Sequence, residues 1–251
     1  MPTISACVIA KNEQACIARC LQSVKESTDE IILVDTGSSD QTIEIAQALG
    51  AKIYHFDWND DFAAARNYAL NQAIGDWIVF LDADEYVVTD KAKNLRPLIE
   101  KIHGNRKIEA VCFLMEHTDG LDAPVVAQTQ SLRLFRHSRA ILYHGRIHEA
   151  ILKNGKPPKA LFAPSSSIVL RHTGYKESNL SDKAQRNLEI LQKILADGTA
   201  NCLTYYYLSQ SYIVLKNYDL AIEFAQKALE DESFFISMVA YKPYVYIIKS
   251  M

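Results

Sequence analysis

No apolar run in this sequence approaches the roughly 18 residues that a helix needs to cross a bilayer. The opening residues, MPTISACVIAKNE, lack the basic start and long apolar core of a secretory signal, so no leader is expected. Charge of one sign is missing too. A formal net charge of −3 supports neither a nucleic-acid partner nor an acidic tail. Cysteine is scarce and odd in number, five in all: Cys7, Cys16, Cys20, Cys112 and Cys202. Cys16 and Cys20 stand four apart on an expected helix, with no histidine nearby to complete a zinc site. All five read as reduced small hydrophobes, and the compartment expected is cytoplasmic. What remains is an ordinary globular composition, 49% hydrophobic and 23% charged over 251 residues. That is enough for one sizeable core, or for a large domain with a small one.

The first half alternates strand and helix. ISACVIA (4–10) reads as a buried strand, and NEQACIARCLQSVKES as a helix with Ile17, Cys20, Leu21 and Val24 at helical spacing. EIILVD (30–35) is a second strand; GSSD is a turn of helix-capping side chains, and QTIEIAQALG a helix closed by Gly50. AKIYHF, DDFAAARNYALNQA and DWIVFLDADE follow as strand, helix and strand. Such alternation predicts a mostly parallel sheet covered on both faces, with ligands bound beyond the carboxyl ends of its strands. From about 90 to 175 the pattern loosens, and EAVCFLMEHT, TQSLRLFR, AILYHGRIHEAIL and SSIVLRHTGY read as strands with polar breaks. Past 178 only helices are expected, which places a boundary there: an α/β domain over 1–177 and a helical region over 178–251.

One strand end stands out. The apolar run Ile78 to Leu81 goes straight into Asp82, Ala83, Asp84 and Glu85. An acidic turn is the plain explanation. The other is a divalent cation: Mg²⁺ and Mn²⁺ take oxygen ligands, a few from protein and the rest from phosphates and water. Asn12, Asp35 and Asp82 each lie at or just past an expected strand end, so the fold gathers them at one edge.

The ordered set VIAKNE, ILVDTGSSDQT and ARNYALNQAIGDWIVFLDADE closely resembles glycosyltransferase family 2, nucleotide-sugar-dependent enzymes of GT-A fold. FDWNDDFAAARN, GRIHEAI and RHTGY are similar to a bacterial, SunS-like subgroup with C-terminal tetratricopeptide repeats, which includes peptide S-glycosyltransferases. The resemblance implies that Asp35 accepts a hydrogen bond from uracil while Ala10, Asn12 and Glu13 line the nucleoside pocket. It implies that Arg66 and Asn67 reach the nucleotide, that Asp82 meets ribose or a metal-bound water, and that Asp84 binds Mn²⁺ or Mg²⁺ with His172. Members usually invert the sugar in one displacement, a carboxylate taking the acceptor's proton. Glu149 is the base expected here and His148 the alternative, since HE stands where the family carries ED. Plainer roles stay open: Asp35 as a helix cap, Arg66 paired with Asp60 or Asp61, and His172 as a strand-end histidine without a ligand.

In TYYYLSQSYIVLKNYDLAIEFAQKAL, the positions of Tyr205, Leu208, Ser209, Tyr212, Ala221, Ala225 and Ala228 fit the tetratricopeptide pattern, with Ser209 for the usual Gly and Ser233 for the usual Pro. One repeat does not bury its own faces, so a truncated array, or docking on the catalytic domain or another subunit, is expected. A homo-oligomer fits that expectation. The leading reading is a metal-dependent, inverting transferase using a UDP-sugar, with a peptide, protein, cell-surface glycan or lipid precursor as acceptor. GDP or dTDP donors are the second reading, and a catalytically silent nucleotide-binding scaffold acting through its repeat is the third.

Overall fold

The computed structural model describes residues 1–88, 92–121, 123–164, 167–173, 180–230 and 243. The chain forms two compact units, Met1–Tyr175 and Lys176–Met251. The expected boundary at 177/178 lies outside the described residues, as do Ser233, Gly174 and Tyr175.

The larger unit is built on one sheet. Strands β1 (Ile4–Ala10), β2 (Glu30–Asp35), β3 (Lys52–His55) and β4 (Trp77–Asp82) run parallel in the order β3-β2-β1-β4. Beyond β4 the sheet becomes mixed, in the order β7-β6-β11-β5. Here β7 (Val125–Arg136) runs antiparallel to β4 and to β6 (Ala110–Thr118). β11 (Val169–His172) is parallel to β6, and β5 (Glu85–Val87) antiparallel to β11. A short β10 (Ala160–Phe162) also pairs β6, and β8 (Ile141–His144) with β9 (Ala150–Lys153) forms a separate hairpin.

Strand periodicity sorts the core. Ile4, Ala6, Val8, Trp77, Val79 and Leu81 face α1 (Ile17–Lys25) and α4 (Leu95–His103), packing with Ile17, Leu21, Ile99 and Ile102. Cys7, Ile32, Val34, Ile78 and Phe80 face the other way, onto Ala63, Ala69 and Leu70 of α3 (Phe62–Gln72) and Tyr143 of β8. With both faces covered, these strands read as continuous apolar runs, as parallel strands should. α2 (Thr42–Ala48) adds Ala46 to the first face.

Three expectations need correction. The first helix starts at Ile17 rather than near Asn12, because Asn12 takes φ +57° and its side-chain oxygen accepts the Ser39 N–H at 2.8 Å. DWIVFLDADE is not one strand: the chain turns at Ala83–Asp84 and leaves β4, so that Glu85 begins β5 against β11. α4 lies inside the stretch read as loose. Pro97 sits in its first turn, where a missing N–H breaks no helical bond.

The smaller unit contains α5 (Leu180–Ala196), α6 (Cys202–Val214) and α7 (Tyr218–Leu229). Asn201 and Thr204 form a reciprocal cap on α6, and Asn217 caps α7. Ala221, Ala225 and Ala228 are fully buried, and Ser209 Oγ donates to the Ala221 carbonyl at 2.8 Å. Small residues thus let α6 and α7 approach closely. No described helix is long and apolar enough to cross a membrane.

Candidate active site

The strand order changes direction between β1 and β4, and the acids collect at the carboxyl ends on either side of that point. Ladder register sets Ala10 beside Asp35 and Ile9 beside Asp82. Asp35 is 3% exposed, and its carboxylate accepts the N–H groups of Gly37 (3.0 Å) and Ser38 (3.1 Å). It therefore fastens the turn that follows β2 and does not cap α2, whose first residue is held by Asp40 through the Thr42 N–H. Asn12 locks onto the same turn from the other side, receiving the Ser39 N–H while its own N–H donates to Ser38 Oγ at 3.0 Å. The Glu13 N–H donates to Thr42 Oγ1 at 2.7 Å, and the Glu13 carboxylate accepts from Cys16 Sγ. Ala10, Asn12, Glu13 and Asp35 accordingly form one small, rigid edge.

Across the switch point lies a network of buried and half-buried charge. Arg66, 6% exposed on the alanine-rich face of α3, reaches Asp82 Oδ1 through Nη2 at 2.6 Å and Glu149 Oε1 through Nε at 2.5 Å. It does not pair with Asp60 or Asp61. Asp61 caps α3 through the Ala64 N–H, and Asp60 accepts from Trp58 Nε1. The guanidinium lies over the rings of Phe80 and Tyr143, 4.9 and 5.2 Å from their centroids. Its Nη1 has no hydrogen-bond partner among the described residues.

Asp82 has a second guanidinium. Arg133 of β7 gives Nη2 to Asp82 Oδ2 at 3.0 Å and grips Glu85 with Nε (2.8 Å) and Nη2 (2.6 Å). Each Asp82 oxygen thus belongs to a different arginine. Loss of water opposes ionisation at Asp82, but Arg66 and Arg133 overcome it and hold the carboxyl well below the usual carboxylate range. Burial pushes the Glu85 carboxyl the other way, against the pull of Arg133. Neither Arg133 nor Glu85 was singled out as a site residue by the sequence. Glu85 is visible as the third acid of its run, whereas Arg133 finds its partner 48 residues back, a distance no local pattern spans.

Asp84 sits in the turn and meets His172 at the end of β11, with His172 Nε2 3.1 Å from Asp84 Oδ2. The next histidine was missed: His117 of β6 lies 3.2 Å from His172, Nδ1 to Nδ1. Burial, with His172 and Arg133 nearby, lowers the His117 imidazole below its ordinary value. Asn67, beside Arg66, spends both ends of its amide on Tyr143, donating to the carbonyl and accepting from the N–H, each at 2.9 Å. Glu149 and His148 lie in the bend between β8 and β9, where Gly145 (φ +96°) and His148 (φ +53°) take left-handed backbone. The Phe62 N–H, donating to the Arg146 carbonyl at 2.8 Å, ties that bend to the start of α3. Burial pushes the thiols of Cys7, Cys16 and Cys20 up, away from the reactive thiolate.

Among the described residues no group of three or more His, Cys, Asp or Glu forms a ready metal cage. The Asp84–His172 pair offers one carboxylate and one imidazole. That donor set suits Mn²⁺ or Mg²⁺ bound with substrate phosphates and water in the remaining positions.

Residues 5–176 match the family Glycosyl transferase family 2. A TPR repeat-containing protein of Synechococcus elongatus is 37% identical over 207 residues, covering 78% of this chain and 49% of that protein. The SPbeta prophage-derived glycosyltransferase SunS of Bacillus subtilis is 27% identical over 237 residues, covering 92% of this chain and 54% of SunS. The chain spans about half the length of the curated relatives it matches. The crystal structure of S. aureus TarS superposes with a TM-score of 0.52 over 99% of this chain and 54% of TarS, at 16% identity, a likeness of fold.

Proposed function

The chain belongs to glycosyl transferase family 2 and its larger unit has the GT-A fold, and on that footing we propose that it moves a sugar from a UDP-sugar to a peptide, protein or glycan acceptor, with inversion and with a divalent cation. The rigid edge of Ala10, Asn12, Glu13 and Asp35 takes the nucleoside. Asp82 faces the ribose side of the donor, and Arg66 and Asn67 keep that side in register with the hairpin carrying Glu149. Asp84 and His172 hold the cation. When bound, the ion would offset the charge gained by the departing nucleoside diphosphate. Glu149 takes the proton from the acceptor as its nucleophile bonds to the sugar carbon and the bond to the diphosphate breaks; His148, its neighbour, contacts the acceptor.

One observation carries this reading. Arg66 binds Asp82 and Glu149 at once, although these lie 16 and 83 residues from it in sequence. A guanidinium buried between the donor-side acid and the acceptor-side acid has a structural cost, and a shared reaction centre accounts for it.

The test is a panel of nucleotide sugars assayed for metal-dependent hydrolysis, with thermal unfolding in UDP and Mn²⁺ alongside. A specific ligand at 100 times its Kd stabilises by about 2.7 kcal/mol. A shift that needs both UDP and Mn²⁺ is expected. No metal-dependent shift with UDP, GDP or dTDP would turn the reading toward a binding scaffold.

A further inference from the structure

His117 and His172 face each other across the parallel pair β6–β11. Their rings stand edge to face, with centroids 5.3 Å apart at 81°. His117 Nε2 lies 2.8 Å from Thr129 Oγ1 on β7, and the Nδ1 atoms of the two imidazoles are 3.2 Å apart. His172 Nε2 in turn lies 3.1 Å from Asp84 Oδ2. These contacts form a line: Thr129, His117, His172, Asp84.

A neutral imidazole carries one N–H and one lone pair, so the line has two polarities. In the first, His172 Nε2–H donates to Asp84. His172 Nδ1 then accepts from His117 Nδ1–H, and His117 Nε2 accepts from the Thr129 hydroxyl. That arrangement leaves no lone pair at His172 Nε2 for a cation. In the second, His117 Nε2–H donates to Thr129, and His117 Nδ1 accepts from His172 Nδ1–H. His172 Nε2 then turns its lone pair toward Asp84 Oδ2, also a lone-pair donor. Two such atoms at 3.1 Å repel unless a cation lies against both. The second polarity requires a group that can accept at the position of His117 Nδ1. We infer that His117, anchored by Thr129, is a positioning residue that fixes the tautomer and ring plane of His172 for a divalent cation. A histidine ligand held through its other ring nitrogen is a general means of tuning metal affinity. The inference rests on the proposed reading of Asp84 and His172 as cation ligands.

The experiment titrates Mn²⁺ alone into the full chain at pH 8, reading free ion by electron paramagnetic resonance, for wild type, H172A, H117F, H117N and T129V. H117F keeps a ring beside His172 but has no acceptor; H117N restores an acceptor near Nδ1. H172A and H117F should both lose affinity, the latter by about 10- to 100-fold, the usual effect of removing such a partner. H117N should recover most of the loss, and T129V should lose less than H117F. Nitrogen-15 spectra with Mg²⁺ should show His172 protonated at Nδ1 in wild type but not in H117F. If H172A binds Mn²⁺ as wild type does, the cation site and the inference fall together. If H172A is weakened while H117F and T129V are not, the inference alone is overturned. Should H117F not fold, as judged by circular dichroism, T129V decides: wild-type affinity with an unchanged His172 tautomer overturns the inference.

Discussion

Both ends of strands β1, β2 and β4 carry acids, and the two ends satisfy them differently. At the amino ends, Asp29 Oδ2 accepts the Ile4 N–H at 2.7 Å, and Asp76 Oδ2 accepts the Thr3 N–H at 2.8 Å. Glu30 there takes Ser5 Oγ (2.6 Å), the Ile74 N–H (2.8 Å) and Lys52 (2.8 Å). Main-chain and side-chain donors share these acids, Arg96 reaching Asp29 Oδ1 at 3.0 Å, and each acid fastens a strand start to its neighbour. At the carboxyl ends the partners of Asp82, Glu85 and Glu149 are arginines from α3 and β7. A main-chain partner closes a fold; the paired guanidiniums hold several carboxylates together at one edge of the sheet. Asp35, held by the Gly37 and Ser38 N–H groups, follows the amino-end pattern, so the contrast is confined to the acids after β4 and in the β8–β9 bend, where the proposed reading puts the reaction.

The sharpest way to break that division is E149Q. It should lower transfer by about 10²- to 10⁴-fold, the usual range for a lost general base, while Mn²⁺-dependent UDP binding survives. Near-normal turnover would remove Glu149 from the role. Next is R133M, which leaves Glu85, 3% exposed, without its bidentate partner; breaking a buried pair from one side costs about 3–5 kcal/mol. A urea midpoint close to wild type would show that the network tolerates the loss and that the contrast between the ends is overstated.

At the amino end, a Cβ at Gly75 would stand 2.7 Å from the Ser5 N and 3.0 Å from the Ile4 carbonyl carbon. G75A should therefore cost about 1–3 kcal/mol of stability by overpacking, yet leave kcat per folded molecule unchanged. A fall in kcat would mean that the two ends communicate. The smallest effect is expected from D76N. The Thr3 N–H holds the Asp76 carboxyl below the usual range, so its contribution is present above the unfolded value, near pH 4, and is lost as pH falls through the folded value. The wild-type advantage in urea should be seen at pH 6 to 7 and shrink below about pH 4. A constant difference across that window would assign it to packing instead.

Much of the larger unit was legible because its strands are short, apolar and regularly separated by helices. Asp35 and Asp82 were legible for the same reason, since both end strands, whereas Arg66, on the helix before β4, was expected only from the family resemblance. The misses share a cause. Arg133 sits in a strand of unremarkable alternation and takes its importance from Glu85, which reaches it only because β5 leaves β4. His117 is an ordinary strand residue until β11 lies beside it. Neither plain role holds: Asp35 serves its own turn and not the helix after it, and the partners of Arg66 are not the nearby acids. α4 had its signal in Leu95, Ile99 and Ile102, at spacings of four and three, and Pro97 obscured it.

Asn67 has one further consequence. The β8–β9 ribbon stands apart from the main sheet, and on its open side Tyr143 would have exposed an unpaired N–H and carbonyl. The Asn67 amide answers both, standing in for the rung a third strand would supply. A two-stranded ribbon is marginal alone, and this side chain joins the Phe62 N–H on the Arg146 carbonyl and Arg66 on Glu149 in tying it to the helix. Because that helix also bears Arg66, Glu149 is placed from the residue next door to its own counter-ion.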